Sequence, residues 1–351
     1  MECKRCSVFF ARSFCCQALW SVRYIIDISR KWYDMVCFET KIAIIGAGNV
    51  GSTLAYTCML QGLASQIALI DIDKERAAGQ ALDMNHCLQF TPNSPVVAGD
   101  SYELVRGANI VVITAGAAQK PGQSRQELLH ANVNLFKEII PAVVAENPDC
   151  FLLVVTNPVD VLTYVALQLS RFPAGRVLGS GTVLDSARLR FLLGKRFSVS
   201  PKDICAYVLG EHGDSEFIWW SGASLAGIPF ALCKGYTQTL EQEMLELTRH
   251  AAYEIIEQKG ATYYAIALAV AKIIKSLLFN QSRLFTVSSL VAGDIVGGGE
   301  LCLSLPLVVK ASADHELYPV KFIQQEQDAF WRSVIKIRAG IEQAQKILNS
   351  Y

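Results

Sequence analysis

Short runs of apolar, mostly β-branched residues punctuate the first half of the chain, at 42–45, 67–70, 96–98, 110–114 and 151–155. Between them, apolar residues recur every three or four positions. Val50, Leu54, Thr57, Met59 and Leu60 mark one such stretch; Ala78, Ala81, Leu82 and Met84 mark another over 73–86. A short helix is expected over 101–105, and a long one over 127–147 with a kink at Pro141. Apolar runs without polar alternation suit strands buried on both faces, and strand–helix alternation predicts a parallel sheet with right-handed crossovers. Past about residue 163 the rhythm changes. Helical periods cover 184–197, 239–259, 262–279 and 330–348. Residues 204–209 read as a strand, and 284–323 alternate about Gly297-Gly298-Gly299, as antiparallel strands do. This divides the chain into an extension (1–40), a doubly wound domain (41–162) and a mixed α+β domain (163–351).

Composition narrows the picture. Charged residues are 18% of the 351, below the usual ~25%, and 52% are hydrophobic, so the core is large and further surface is expected to be buried between subunits. Net charge is zero, which leaves no electrostatic case for nucleic acid or an anionic membrane. Apolar runs stop short of the ~18 residues of a membrane span, cut by Arg23, Lys272 or Lys275. Five of eleven cysteines precede the first strand; the other six are scattered singly in apolar contexts, as buried thiols of a reducing, cytoplasmic compartment would be. Cys3 and Cys6 lack a second ligand pair at metal spacing, so no metal is expected. Residues 1–40 are basic and without a clean period, and Arg12 interrupts any secretory apolar core. An Arg-rich targeting segment is one reading of them. The plainer one, a dispensable, poorly ordered extension ahead of Met35, is preferred.

The first strand runs into Gly46-x-Gly48-x-x-Gly51, which opens a helix, and the second strand ends at Asp71, 20 residues after Gly51. Gly46 makes the turn, Gly48 lets backbone approach a pyrophosphate and Gly51 lets helix pack on strand. The helix N-terminus offers unpaired N–H groups to the pyrophosphate. Asp71 is placed to accept from ribose hydroxyls and to repel a 2′-phosphate, which selects NAD over NADP. An ordinary glycine-rich turn does not account for the spacing and the acid together. The implied fold is α/β: a Rossmann-type doubly wound parallel sheet, followed by a mixed α+β substrate domain.

Other candidates cluster at strand ends, where such sheets bind ligands. Residues 115–125 (A-G-A-A-Q-K-P-G-Q-S-R) form a loop with Arg125 at its far end, a candidate lid; a solvated surface loop is the plain alternative. Asn157 follows another strand. His212 lies between two glycines in G-E-H-G-D-S, just after an apolar run, unlike the other four histidines. Asp185 and Arg188, three apart on a helix, share a face; the plain reading is an intrahelical ion pair worth a few tenths of a kcal/mol.

From about Thr40 onward, G-A-G-N-V-G-S, the lid, T-N-P-V-D, L-D-S-A-R and G-E-H-G-D-S occur in one order and spacing. In these the chain resembles the L-lactate dehydrogenases of the lactate/malate dehydrogenase family. The resemblance implies that NAD is held by Gly46, Gly48, Asn49, Val50, Gly51, Asp71, Thr114, Ala115, Gly116 and Asn157, with Ile266 packed on the nicotinamide. It implies that His212 exchanges a proton with the pyruvate keto oxygen and that Asp185 holds the imidazole. A neighbouring carboxylate raises a histidine pKa from ~6.5, as this role needs. Arg188 would grip the substrate carboxylate bidentately, and Arg125 would arrive with the lid to polarise the carbonyl. Asn157 and Thr262 would complete the substrate pocket, and the family's usual tetramer would suit the low charge fraction. Activated bacterial members bind a sugar bisphosphate through an Arg and a His. Arg190 matches the former, but Cys205 stands where the His would be, so weak or absent activation is expected.

Gln119 occupies the lid position that discriminates substrates, where malate-specific relatives carry Arg. Burying oxaloacetate's second carboxylate unpaired would cost roughly 3–5 kcal/mol, so pyruvate is favoured. Competing readings are a malate or bulkier 2-hydroxy acid dehydrogenase, and a non-enzymatic NAD-binding protein; the intact His212, Asp185, Arg188, Arg125 and Asn157 argue against the latter. Gln119→Arg should raise oxaloacetate turnover by roughly 10²-fold relative to pyruvate; comparing kcat/KM for the two acids checks this, and an unchanged ratio would remove Gln119 from the selectivity device.

Overall fold

The computed structural model describes residues 40–117 and 125–350, and of Arg125 the backbone alone. The expectations for the N-terminal extension up to Glu39, for Gln119 and for the Arg125 side chain lie outside the described residues. Six parallel strands come first in the chain: β1 (Lys41–Ile45), β2 (Gln66–Ile70), β3 (Val96–Gly99), β4 (Ile110–Ile113), β5 (Phe151–Val154) and β6 (Val177–Gly179). They lie in the order β3-β2-β1-β4-β5-β6, which places a topological switch point between β1 and β4. Helices α1 (Asn49–Leu60), α2 (Lys74–His86), α3 (Arg125–Glu146) and α4 (Val159–Ser170) connect them.

Alternate strand residues explain the unbroken apolar runs. Ala43, Ile45, Val111, Ile113, Leu152 and Val154 enter one buried cluster, with Phe136 and Ile140 of α3. Ile42, Ile44, Ile110, Val112 and Leu153 enter another on the opposite face, with Leu54 and Met59 of α1. Successive side chains of a strand point to opposite faces, so a sheet covered twice must be apolar at every position.

The second half begins with α5 (Val183–Phe197) and the short pairs β7 (Ile204–Cys205), β8 (Val208–Leu209), β9 (Phe217–Ile218), β10 (Ser224–Leu225) and β11 (Ile228–Pro229). Helices α6 (Gln238–Lys259) and α7 (Tyr264–Leu278), the long strands β12 (Arg283–Ala292) and β13 (Glu300–Val309), β14 (Glu316–Leu317) and α8 (Gln324–Leu348) complete it. The β12–β13 hairpin is antiparallel over ten residue pairs, turned at Gly297, Gly298 and Gly299. It does not form a separate sheet: β12 pairs with β6, extending one sheet to nine strands.

Several expectations need correction. The strand over 204–209 is broken into two pieces that join different small sheets. Leu82 is 61% exposed and Ala78 faces out, while Ala77, Ala81 and Met84 supply the buried face of α2. Only Cys58, Cys150 and Cys302 of the six later cysteines are buried; Cys205 is exposed. Helix α4 was not foreseen: ten of its twelve residues are buried, so it carries no polar stripe to reveal a period. Helix α3 is long and apolar enough to cross a membrane by composition, yet Val133, Phe136, Ile139, Ile140 and Val143 pack it into the core.

A Cβ on Gly51 would lie 1.8 Å from the Gly46 carbonyl oxygen, whereas one on Gly48 would meet none of the described residues within 4 Å. Gly51→Ala should therefore cost at least ~2 kcal/mol by overpacking, and Gly48→Ala less than half of that; chemical denaturation of the two variants measures the difference.

Candidate active site

The crevice above the switch point is built by loops that one another's side chains hold in place. Gly46, at φ +110°, donates its N–H to the Ile70 carbonyl (2.7 Å). A Cβ there would fall 2.7 Å from the Ala115 nitrogen. The Thr114 hydroxyl donates to the Ile45 carbonyl (3.0 Å) and reaches that of Gly46 (3.1 Å). Asp71 accepts from the Ala47 N–H (2.6 Å) and the Asp73 N–H (2.9 Å), so the end of β2 is tied to the glycine loop. Helix α1 starts at Asn49 without a side-chain cap and with no acid in its first turn, and among the described residues nothing lies within 4 Å over Gly48. Uncapped N–H groups under open space fit a diphosphate, and the glycine-rich loop with Asp71 fits NAD.

At the neighbouring strand ends, Thr156 donates to the Ala115 carbonyl (2.7 Å), and a Cβ on Gly116 would strike its methyl at 2.4 Å. Asn132 of α3, buried, accepts from the Ala117 N–H (2.8 Å) and donates to the Asn157 carbonyl (2.8 Å). It thereby joins the root of the 115–125 loop to the Asn157 turn, whose Asn157–Pro158 peptide is cis. Sequence reasoning missed Asn132, since a polar residue inside a helix carries no signal of its distant partners.

His212 arrives from the other half of the chain. Gly210, at φ +92°, bridges Ser304 of β13 through both backbone groups. Ser333 of α8 accepts from the Glu211 N–H (3.1 Å) and donates to the Ser215 carbonyl (2.7 Å), pinning the loop from both sides. The His212 N–H donates to Asp160 Oδ2 (2.8 Å). The imidazole Nδ1 meets Asp185 Oδ2 at 2.6 Å, and Arg188 Nη1 donates to Asp185 Oδ1 at 2.8 Å. Asp185 thus spends one oxygen on each cation, with its side chain 2% exposed and that of His212 22%. The pair on α5 is more than a surface ion pair: its carboxylate is buried and shared.

Burial alone would lower the imidazole pKa; the charge and hydrogen bond of Asp185 outweigh it, Glu216 and Asp160 add to them, and it rises to about 9. Burial also pulls Asp185 upward, but His212 and Arg188 hold it below its ordinary value. Burial pushes Asp160 up to about 6 against the opposing Ser288 hydroxyl and His212 N–H. Asp160, Glu216 and Ser333 were not singled out from the sequence. Asp160 and Glu216 lie within or beside stretches that were, but nothing in spacing alone says which acid turns inward.

Asn157, Asp185, Arg188, His212, Glu216 and Arg249 line one cavity of about 400 Å³. Thr262 and Ile266 are not among the residues lining it: Thr262 is half-buried before α7, and Ile266, in its first turn, packs against the cluster under β1. The arrangement offers a proton carrier, a cation for a carboxylate and, alongside, a cradle for a dinucleotide.

Residues 40–179 match the family model described as lactate/malate dehydrogenase, NAD binding domain, and 182–348 the one described as lactate/malate dehydrogenase, alpha/beta C-terminal domain. An L-lactate dehydrogenase of Acetivibrio thermocellus is 47% identical over 291 residues, 82% of this chain and 91% of that protein. One from a Thermoanaerobacter species is 46% identical over 308 residues, 86% and 98%. Among solved structures, a lactate dehydrogenase from a Medee basin deep-sea metagenome library superposes with a TM-score of 0.84 at 35% identity, covering 88% of this chain and 99% of that one. The minor L-lactate dehydrogenase of Enterococcus mundtii gives 0.83 at 35%, covering 87% and 98%.

The raised histidine has a consequence for stability. A group whose pKa rises from 6.5 unfolded to about 9 folded contributes stability that is complete below pH 6.5 and gone above about 9. Its size is on the order of 3 kcal/mol. Thermal unfolding midpoints should fall between these pH values in the parent chain, and the fall should flatten in His212→Asn.

Proposed function

The chain belongs to the lactate/malate dehydrogenase family, and on that premise we propose that it is an NAD-dependent L-lactate dehydrogenase, interconverting pyruvate and L-lactate. The observation that carries the reading is the buried Asp185 carboxylate holding His212 on one oxygen and Arg188 on the other. Bound NADH supplies the hydride. Asp185 occupies Nδ1, so Nε2 is the imidazole nitrogen that gives its proton to the keto oxygen as charge develops there. A pKa of about 9 keeps His212 protonated at neutral pH, ready for pyruvate reduction, and lactate oxidation needs the neutral ring, favoured above it. Arg188 lends one nitrogen to Asp185 and has further donors for the substrate carboxylate. Arg125 enters with the lid and polarises the carbonyl, Gln119 leaves the methyl side without a cation, and Asn157 hydrogen-bonds the substrate.

Gly46, Gly48, Asn49, Val50 and Gly51 cradle the pyrophosphate, Asp71 takes the ribose, and Thr114, Ala115 and Gly116 form the second wall; Ile266 packs on the nicotinamide and Thr262 on the substrate side. The dinucleotide part is 41–162 and the substrate part 163–351. The assembly is a homotetramer: large side chains left exposed on the adjoining helices α1 and α7, Leu60, Tyr264 and Leu268 among them, are surface for subunit contacts.

The deciding assay is loss of NADH absorbance with pyruvate at neutral pH. Pyruvate should exceed oxaloacetate in kcat/KM by roughly 10²-fold or more, and His212→Asn should lower kcat by roughly 10²–10⁴-fold. Arg190 spends Nε on the Ala206 carbonyl (2.9 Å) and lies 4.6 Å over the Tyr207 ring, and Cys205 is exposed. Fructose bisphosphate should accordingly leave the pyruvate KM unchanged. Failure to oxidise NADH, or a preference for oxaloacetate, would overturn the assignment.

A further inference from the structure

One buried acid in the cavity bears on the charge of His212 but is given no contact with substrate or cofactor in the reaction as described. Glu216 is 3% exposed, and its carboxylate lies with those of Asp185 and the His212 ring so that one ligand atom from each falls within 4.8 Å of the others. Its backbone is fixed on both sides: the N–H donates to the Gly213 carbonyl (3.1 Å), and the carbonyl accepts from Arg249 Nη2 (2.6 Å). The side chain is therefore delivered to the imidazole by the turn that carries His212 itself. Its Oε1 is buried without a hydrogen-bond partner among the described residues. A carboxyl left so costs free energy that an apolar residue of similar size would not incur, unless its charge is used.

The surrounding charges say what uses it. Asp185 and Arg188 face it from α5, Arg249 from α6, and His212 from its own loop. Asp160 of α4 bears on His212 from the other side, and Glu211, Asp214 and, from α8, Lys336 line the same cavity. Arg188 and Arg249 carry fixed positive charge, and Asp185 is already bridging two cations. Two buried carboxylates this close cannot both be ionised cheaply unless a positive charge stands between them. Only the imidazole gains and loses such a charge during turnover.

We propose that Glu216 is a positioning residue: its carboxylate stabilises the charged imidazole, and with Asp185 it sets the pH at which His212 yields its proton. The proposal rests on the lactate dehydrogenase reading for its meaning in turnover, but not for its test. Burial and the charge of Asp185 hold the Glu216 carboxyl well above its ordinary value, even though His212, Arg249 and Arg188 oppose them. Its ionisation is thereby tied to that of the ring. Loss of the His212 proton removes a charge that lowers the Glu216 carboxyl, and its return restores it.

The test compares Glu216→Gln, which keeps the shape and removes the charge, with Glu216→Asp, which keeps the charge at a shorter reach. In the full chain, the His212 ring is titrated by NMR without substrate, and the pH profile of kcat/KM for pyruvate reduction is recorded. Glu216→Gln should lower the His212 pKa, and with it the basic limb of the profile, by about one pH unit. The low-pH plateau should stay within about threefold of the parent. Glu216→Asp should move both by less than half as much. An unmoved titration in Glu216→Gln, or equal displacements in the two variants, would overturn the proposal. The NMR titration reads Glu216 even if pyruvate is not turned over, so failure of this inference and failure of the functional assignment remain distinguishable.

Discussion

Asp185 is one carboxylate with two clients. Taking it out of water carries a penalty of several kcal/mol, repaid only because a ring nitrogen lies 2.6 Å from one oxygen and a guanidinium nitrogen 2.8 Å from the other. Since neither oxygen is free to choose, His212 and Arg188 are set relative to each other by a single rigid group. Removing either client would leave an under-compensated buried charge, so the geometry of the site also serves folding.

That arrangement is useful only at the crevice, and the rest of the fold brings it there. Helix α5 supplies Asp185 and Arg188, but His212 comes from a loop held by β13 and α8, and its backbone is caught by Asp160 at the start of α4. Helix α4 lies inside the molecule, against β6, β12 and β13 and the helices α3 and α8, and is buried almost all round. Because β12 continues the sheet that β1 began, the cofactor cradle and the histidine loop share one backbone framework. Asn132 and Thr156 perform the same service at smaller scale, tying adjacent strand-end loops together.

The chain as a whole is electrically neutral, yet the cavity gathers acids, two guanidiniums and the imidazole within a few residues' reach. In water such charges would be screened and nearly independent. Buried, each sets the protonation of the next. The pKa of His212 is consequently a property of the cluster.

Much of this was legible in the chain. The β-strand runs, the glycine spacing with Asp71, and the pairing of Asp185 with Arg188 are local, and local geometry fixes their consequences: an apolar tetrapeptide buried on both faces, a turn that excludes a Cβ, two side chains one helical turn apart. The hairpin about Gly297–Gly299 was readable for the same reason. What the sequence left hidden was helix α4, whose burial on every side erases its period, the division of 204–209 between two sheets, and the roles of Asn132, Asp160, Glu216 and Ser333. Their partners lie tens to more than a hundred residues away, and a polar side chain inside a helix looks the same whether it faces water or a distant loop. Residue type and spacing determined which groups could do chemistry; only chain packing decided which of them meet, which are dry, and therefore which hold a charge.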